Sequence, residues 1–97
     1  TGEMISGREA SEMGLASMVV PDAEVVTKAL ALANKIARLA PVAVQFTKEA
    51  VIRGEDASLE AGLSLERKML WLLLGTDDKR EGVDAFLEKR KPDFKGR

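Results

Sequence analysis

Histidine and cysteine are both absent from the 97 residues, which removes the commonest general base, the thiolate nucleophile and the usual zinc ligands. Ser-His-Asp, Cys-His and cysteine-based metal chemistry are excluded within the chain, so neither a catalytic residue nor a metal site is expected. Carboxylates remain. Paired Glu residues can do acid/base work when their surroundings push the two pKa values apart. Here Glu9, Glu12, Glu49, Glu60, Glu66, Glu81 and Glu88 fall in charged stretches beside Lys or Arg, the pattern of solvated helix faces. No GxGxxG or GxxxxGK[ST] spacing occurs, so a phosphate-cradling loop is not expected either.

The charge distribution holds the one remaining candidate. Lys89 to Arg97 contains three Lys, two Arg and one Asp, a net +4 at the end of a chain whose overall charge is -1. The preceding body is therefore at -5. A basic end can complement a helix dipole, or it can meet phosphate groups. Nucleic acid is a poor partner for it, because there is no Tyr, the single Trp lies in an apolar run, and the body is acidic. No membrane segment is expected: the longest apolar run, Met69 to Leu74, falls far short of the roughly 20 residues that span a bilayer. The cysteine-free composition suits a reducing cytoplasm, where the protein is expected. The start at Thr1, without Met, is expected for a fragment or a processed chain.

Helices must position whatever this chain contributes. Ser6 and Glu9 have capping-box spacing, which predicts a short helix from Gly7 to Met13 with Gly14 as its left-handed stop. A short extended segment is expected near Leu15–Val20, closed by Pro21. Asp22 is the predicted N-cap of an amphipathic helix bearing Val26, Ala29, Leu30, Ala33, Ile36, Ala37 and Ala40 at steps of three and four. Pro41 ends it and can open the next helix, Val42 to about Arg53, which presents Ala43, Phe46 and Ala50 and stops at Gly54. Ser58 caps a helix reaching Leu74. It carries one stripe of Leu59, Leu63, Leu70 and Leu74 and a second of Leu65, Met69 and Leu72, which implies burial from two directions. Gly75 ends it and Thr76 caps the last helix, with Asp77 and Asp78 against its positive end. Pro92 stops regular structure and leaves Asp93 to Arg97 as a tail. The expected fold is all-α, about five helices in one domain, with more apolar surface than a lone chain of this size covers comfortably.

Three stretches resemble the enoyl-CoA hydratase/isomerase, or crotonase, family. TGEMISGREASEMGLASMVVP is similar to its TG, I-S/D-A, short-helix, GLV and V-V-P segment. APVAVQFTKEAV resembles its AP-x-A-x-x-x-TK-x-A helix, and GTDDKREGVDAFLEKRKPDFKGR its T-x-D-x-x-EG-x-x-AF-x-EKR-x-P-x-F ending. All three occur in order along the chain.

The resemblance implies a C-terminal helical domain, residues 1–97, that assembles oligomers and covers acyl-CoA, following an absent N-terminal catalytic domain. That domain would hold the oxyanion-hole amides and the catalytic Glu residues. The parent reaction implied is hydration of a trans-2-enoyl-CoA in fatty acid β-oxidation, with isomerase or acyl-CoA hydrolase chemistry as family alternatives. No cofactor is implied beyond the coenzyme A thioester substrate. The implied partners are the N-terminal domain and further copies in a trimer or dimer of trimers. Lys89 matches the position that approaches the CoA 3′-phosphate, and Leu70 one that can pack on adenine, with Trp71 adjacent. Without the resemblance, the same helices fit an independent interaction module.

Overall fold

The computed structural model describes all residues from Thr1 to Arg97 and contains five α-helices and no strand. They are α1 (Gly7–Glu12), α2 (Val25–Ala37), α3 (Pro41–Glu55), α4 (Leu59–Leu74) and α5 (Asp77–Leu87). The chain forms two compact units, Thr1–Ala33 and Asn34–Arg97.

In the first unit, local hydrogen bonding sets the ends of α1. The Ser6 N–H donates to Glu9 Oε2 at 2.7 Å, and the Ser6 hydroxyl accepts from the Glu9 N–H at 3.2 Å, the reciprocal capping box. The backbone bond from Ser6, then its hydroxyl, holds the Glu9 carboxyl below its usual range. At the other end Gly14 has φ +80. Its N–H meets Ser11 O, and Leu15 N–H reaches back to Ala10 O, a Schellman closure that needs this left-handed residue. Leu15–Val20 joins no strand. Asp22 is not an N-cap: a 3-10 turn over Asp22–Glu24 leads into α2, with no side-chain cap. A helix that starts through a tighter turn satisfies its first amides within the backbone.

The second unit is built on α3 packed against α4. Pro41 stands at the first turn of α3, where its missing N–H costs nothing. The helix closes at Glu55, one residue past Gly54, within the ordinary latitude of a helix end. Gly62 faces Gly54: a methyl group placed on Gly62 would lie 3.8 Å from Gly54 Cα, so the two backbones approach closely. Ser58 caps α4 by accepting from the Ala61 N–H at 3.2 Å, and Thr76 caps α5 by accepting from the Lys79 N–H at 3.2 Å.

Only one apolar stripe of α4 is packed. Met69 is buried and Leu65 and Leu73 are half-buried, an i, i+4, i+8 row, so Leu73 takes the place expected of Leu72. Met69 and Leu73 line a cleft with Phe46 and Ala50 of α3, and these two and Ala43 are also half-buried. The stripe of Leu59, Leu63, Leu70 and Leu74 stays largely in solvent, with Leu59 at 80% exposure, and Trp71 and Leu72 are exposed as well. The whole chain exposes 8452 Å², whereas its two units, folded compactly and apart, would expose about 6,500 Å² together by mass scaling.

The tail has no regular structure, yet it is not loose. Lys95 and Gly96 donate their backbone N–H groups to the two carboxylate oxygens of Asp78 at 2.7 and 2.8 Å, and the Asp78 N–H donates to Arg97 O at 3.0 Å. Asp78 is buried at 5% exposure. Gly96 adopts φ +76 and lies against the Pro41 ring, and Phe94 packs on Gly82. Asp78→Ala should therefore release residues 94–97 and cost about 2 kcal/mol, since two amides lose a charged acceptor. The urea midpoint should fall, and the Lys95 and Gly96 amides should lose hydrogen-exchange protection while α3 and α4 keep theirs.

Candidate functional site

The candidate site is the end of α5 and the turn that follows it. Glu88 caps the helix, and the chain then turns at Lys89, the only residue other than glycine with positive φ, +56. Lys89 N–H donates to Phe86 O at 3.3 Å and Arg90 N–H to Ala85 O at 3.0 Å. This is the Schellman closure again, with lysine where glycine is usual. A left-handed lysine costs on the order of 1 kcal/mol relative to the right-handed region.

The residues on either side are tied down. The Arg90 guanidinium forks onto Glu81, Nη1 to Oε1 at 2.5 Å and Nη2 to Oε2 at 2.9 Å, while its Nε reaches Glu88 Oε2 at 2.6 Å. Glu81 Oε1 also accepts the Asp93 N–H at 2.7 Å. Bidentate geometry of this kind fixes direction as well as distance. It raises the Arg90 pKa further above its usual value, first through Glu81 and then through Glu88.

Among the five cations of the basic end, three are engaged. Arg90 holds Glu81 and Glu88, Lys95 pairs with Asp93 at 2.7 Å, and Arg97 approaches Asp77 at 3.8 Å. Lys89 and Lys91 make no ion pair, and both are exposed. Lys91 borders a groove with Arg38 and Pro41. Lys89 is thus an uncommitted ammonium on a fixed backbone.

Leu70 lies elsewhere. It is 55% exposed on α4 and borders a small cleft of about 180 Å³ with Phe46, Glu66, Met69 and Leu73; Lys89 is not among the residues lining it. A larger apolar cleft of about 530 Å³ runs between α3 and α5, lined by Val42, Ala43, Leu73, Val83, Phe86 and Phe94. No cluster of carboxylates is arranged to hold a metal, and no helix is long and apolar enough to cross a membrane.

Sequence reasoning placed Glu81 on a solvated face and gave Asp78 only a dipole role. Both instead anchor the tail. No helical spacing could have shown the Glu81–Arg90 pair, because its members are nine residues apart and the chain reverses at Lys89 between them.

The whole chain, residues 1–97, matches the family model described as enoyl-CoA hydratase/isomerase. The chain belongs to the enoyl-CoA hydratase/isomerase family. It is 45% identical over 97 residues to the 2,3-dehydroadipyl-CoA hydratase of Escherichia coli K12, covering 100% of this chain and 38% of that protein. It is 46% identical over 97 residues to the (E)-benzylidenesuccinyl-CoA hydratase of Thauera aromatica, covering 99% of this chain and 38% of the relative. The crystal structure of an enoyl-CoA hydratase from Bacillus anthracis superposes with a TM-score of 0.92 at 42% identity, covering 96% of this chain and 36% of that one. The chain thus spans less than two-fifths of the length of these family members, and its all-helical architecture corresponds to a part of their fold.

The Glu81 clamp makes this family segment acid-sensitive. Glu81 is held down to about 2 from an ordinary 4.5, chiefly by the Arg90 hydrogen bonds and next by the Asp93 amide. Its folded pKa is depressed, so its contribution to stability is present above pH 4.5 and is lost as the pH falls towards 2. An NMR titration should show the Asp93 amide losing exchange protection across that interval, and Glu81→Gln should abolish the step.

Proposed function

We propose that this chain is the C-terminal helical part of an enoyl-CoA hydratase, which adds water reversibly across the double bond of a trans-2-enoyl-CoA in fatty acid β-oxidation. In this role it contributes an assembly surface, part of the cover over acyl-CoA and one phosphate contact, while the catalytic carboxylates and oxyanion-hole amides belong to an N-terminal domain of the parent. The carrying observation is a family match along every residue of a chain that has no His and no Cys and spans only 38% of its hydratase relatives. Such a chain has family identity without a constellation for acid/base or nucleophilic work.

The exposed stripe of α4 supports the assembly role. Leu70, Trp71, Leu72 and Leu74 are each more than half exposed, and exposed apolar surface of that kind marks a contact region. We assign it to the parent's N-terminal domain or to neighbouring copies in a trimer or dimer of trimers. The apolar cleft between α3 and α5 supports the covering role. No cofactor enters, the CoA thioester being the substrate, and a cysteine-free chain suits a cytoplasmic enzyme.

Lys89 is assigned to the CoA 3′-phosphate, as a point charge on a fixed backbone. Leu70 is assigned to the adenine face, an apolar contact beside Trp71. In the parent enzyme, hydration depends on two backbone N–H groups stabilising the thioester enolate and two Glu residues handling water and proton.

Two experiments test this. Co-expression with a crotonase N-terminal domain should yield a complex that hydrates crotonyl-CoA, with Trp71 fluorescence shifted to the blue as its surroundings dry. No association and no activity would leave the independent helical module as the better description. In the intact parent, Lys89→Ala should raise the Michaelis constant for crotonyl-CoA by about two- to fivefold, the scale of an exposed ionic contact. The 3′-dephospho substrate should be unaffected, and equal effects on both would remove Lys89 from the phosphate.

A further inference from the structure

Lysine is a poor choice for the backbone at position 89. With φ +56, it occupies the region that glycine enters freely and other residues enter only under constraint. Such a conformation persists where its surroundings over-determine it. The closure hydrogen bonds supply part of that constraint, although the one from Lys89 itself is long, at 3.3 Å. The rest comes from side chains that never touch Lys89.

Arg90, the next residue, makes three hydrogen bonds to carboxylates, two to Glu81 on α5 and one to the capping Glu88. The same Glu81 carboxylate takes the Asp93 amide at 2.7 Å. Glu81 therefore gathers the chain on the far side of the turn at two points, residues 90 and 93. Residue 88 is fixed on the near side by the helix end, its N–H on Asp84 O at 2.9 Å. Lys89 lies between these anchors, and its dihedral angles follow from theirs. Lys91, also unpaired, sits between the two tail anchors on the far side of the turn, so it does not share the left-handed position.

We propose that Glu81 is a positioning residue for Lys89, acting through Arg90 to hold the left-handed turn from which the Lys89 ammonium meets the CoA phosphate. This rests on the assignment of Lys89 to that phosphate. Glu81 itself touches no substrate. A neutral side chain of the same shape would keep its volume but lose the charge-assisted fork. The turn would then sample right-handed conformations, and the ammonium would spend less time at its contact.

The test is a double-mutant cycle in the intact parent enzyme, with crotonyl-CoA and its 3′-dephospho analogue as substrates. Glu81→Gln should raise KM for crotonyl-CoA by about two- to fivefold, no more than loss of the contact itself. It should leave kcat and the dephospho KM unchanged, and it should add nothing in a Lys89→Ala background. If Lys89→Ala is selective for the phosphorylated substrate but Glu81→Gln affects both substrates alike, or adds its full effect to Lys89→Ala, the phosphate contact stands and the positioning role falls. A non-selective Lys89→Ala sinks the contact and the positioning role together. Should Glu81→Gln fail to fold, Arg90→Lys keeps the charge without the two-point fork and carries the same expectation. Arg90→Lys with wild-type KM for both substrates would overturn the proposal.

Discussion

Two carboxylates on α5 organise the end of this molecule. A segment without helix or strand has no internal partners for its amides, and each buried amide left unpaired is costly. Asp78 and Glu81, less than a turn apart on one helix, supply the missing acceptors. Between them they take the amides of Asp93, Lys95 and Gly96 and the guanidinium of Arg90. The segment is thereby drawn back along α5, Phe94 is laid over Gly82, and Gly96 is brought to Pro41 at the start of α3. Ionic and backbone hydrogen bonds thus join what the small apolar core alone does not.

That core is small for a physical reason. Met69 and Ala85 are the only buried apolar residues, and burial of so little surface leaves the hydrophobic contribution slight. The amphipathic patterns of α2 and α4 are intact, but much of what they present finds no counterpart within the chain. Leu30 at 58% and Leu63 at 49% exposure lie on stripes that a self-sufficient domain would cover. The chain matches only a minor part of its longer relatives, and an assembly surface of the kind proposed above would cover this surplus.

Local signals were legible in the sequence and nonlocal ones were not. Ser6 with Glu9, Gly14, Pro41, Ser58 and Thr76 act within a few residues of themselves, and each does what its type dictates. Asp22 failed as a cap because a tight turn had already satisfied the amides it would have served. Gly54 marks the end of α3 to within one residue, the helix closing at Glu55 with the Asp56 N–H on Gly54 O. The anchoring of residues 93–97 left no trace, since Asp78 meets partners 17 and 18 residues away through backbone groups that every residue carries. At the candidate site, the types of Lys89 and Leu70 came from family motifs. The left-handed state of Lys89 was hidden because glycine, not lysine, is the residue that advertises it.

The return of the tail along α5 also decides where Arg97 is held. It lies beside the first turn of α5, its carbonyl engaged by the Asp78 amide. Anything covalently joined to Arg97, whether a purification tag, a fluorophore or a linker, must leave from that crowded helix start and compete with the seating of Lys95 and Gly96. Thr1 has no comparable engagement beyond its hydroxyl, which accepts from the nearby Glu3 amide. Thr1 and Arg97 are therefore unequal as attachment points, and a label at Arg97 would perturb the basic segment it was meant to observe.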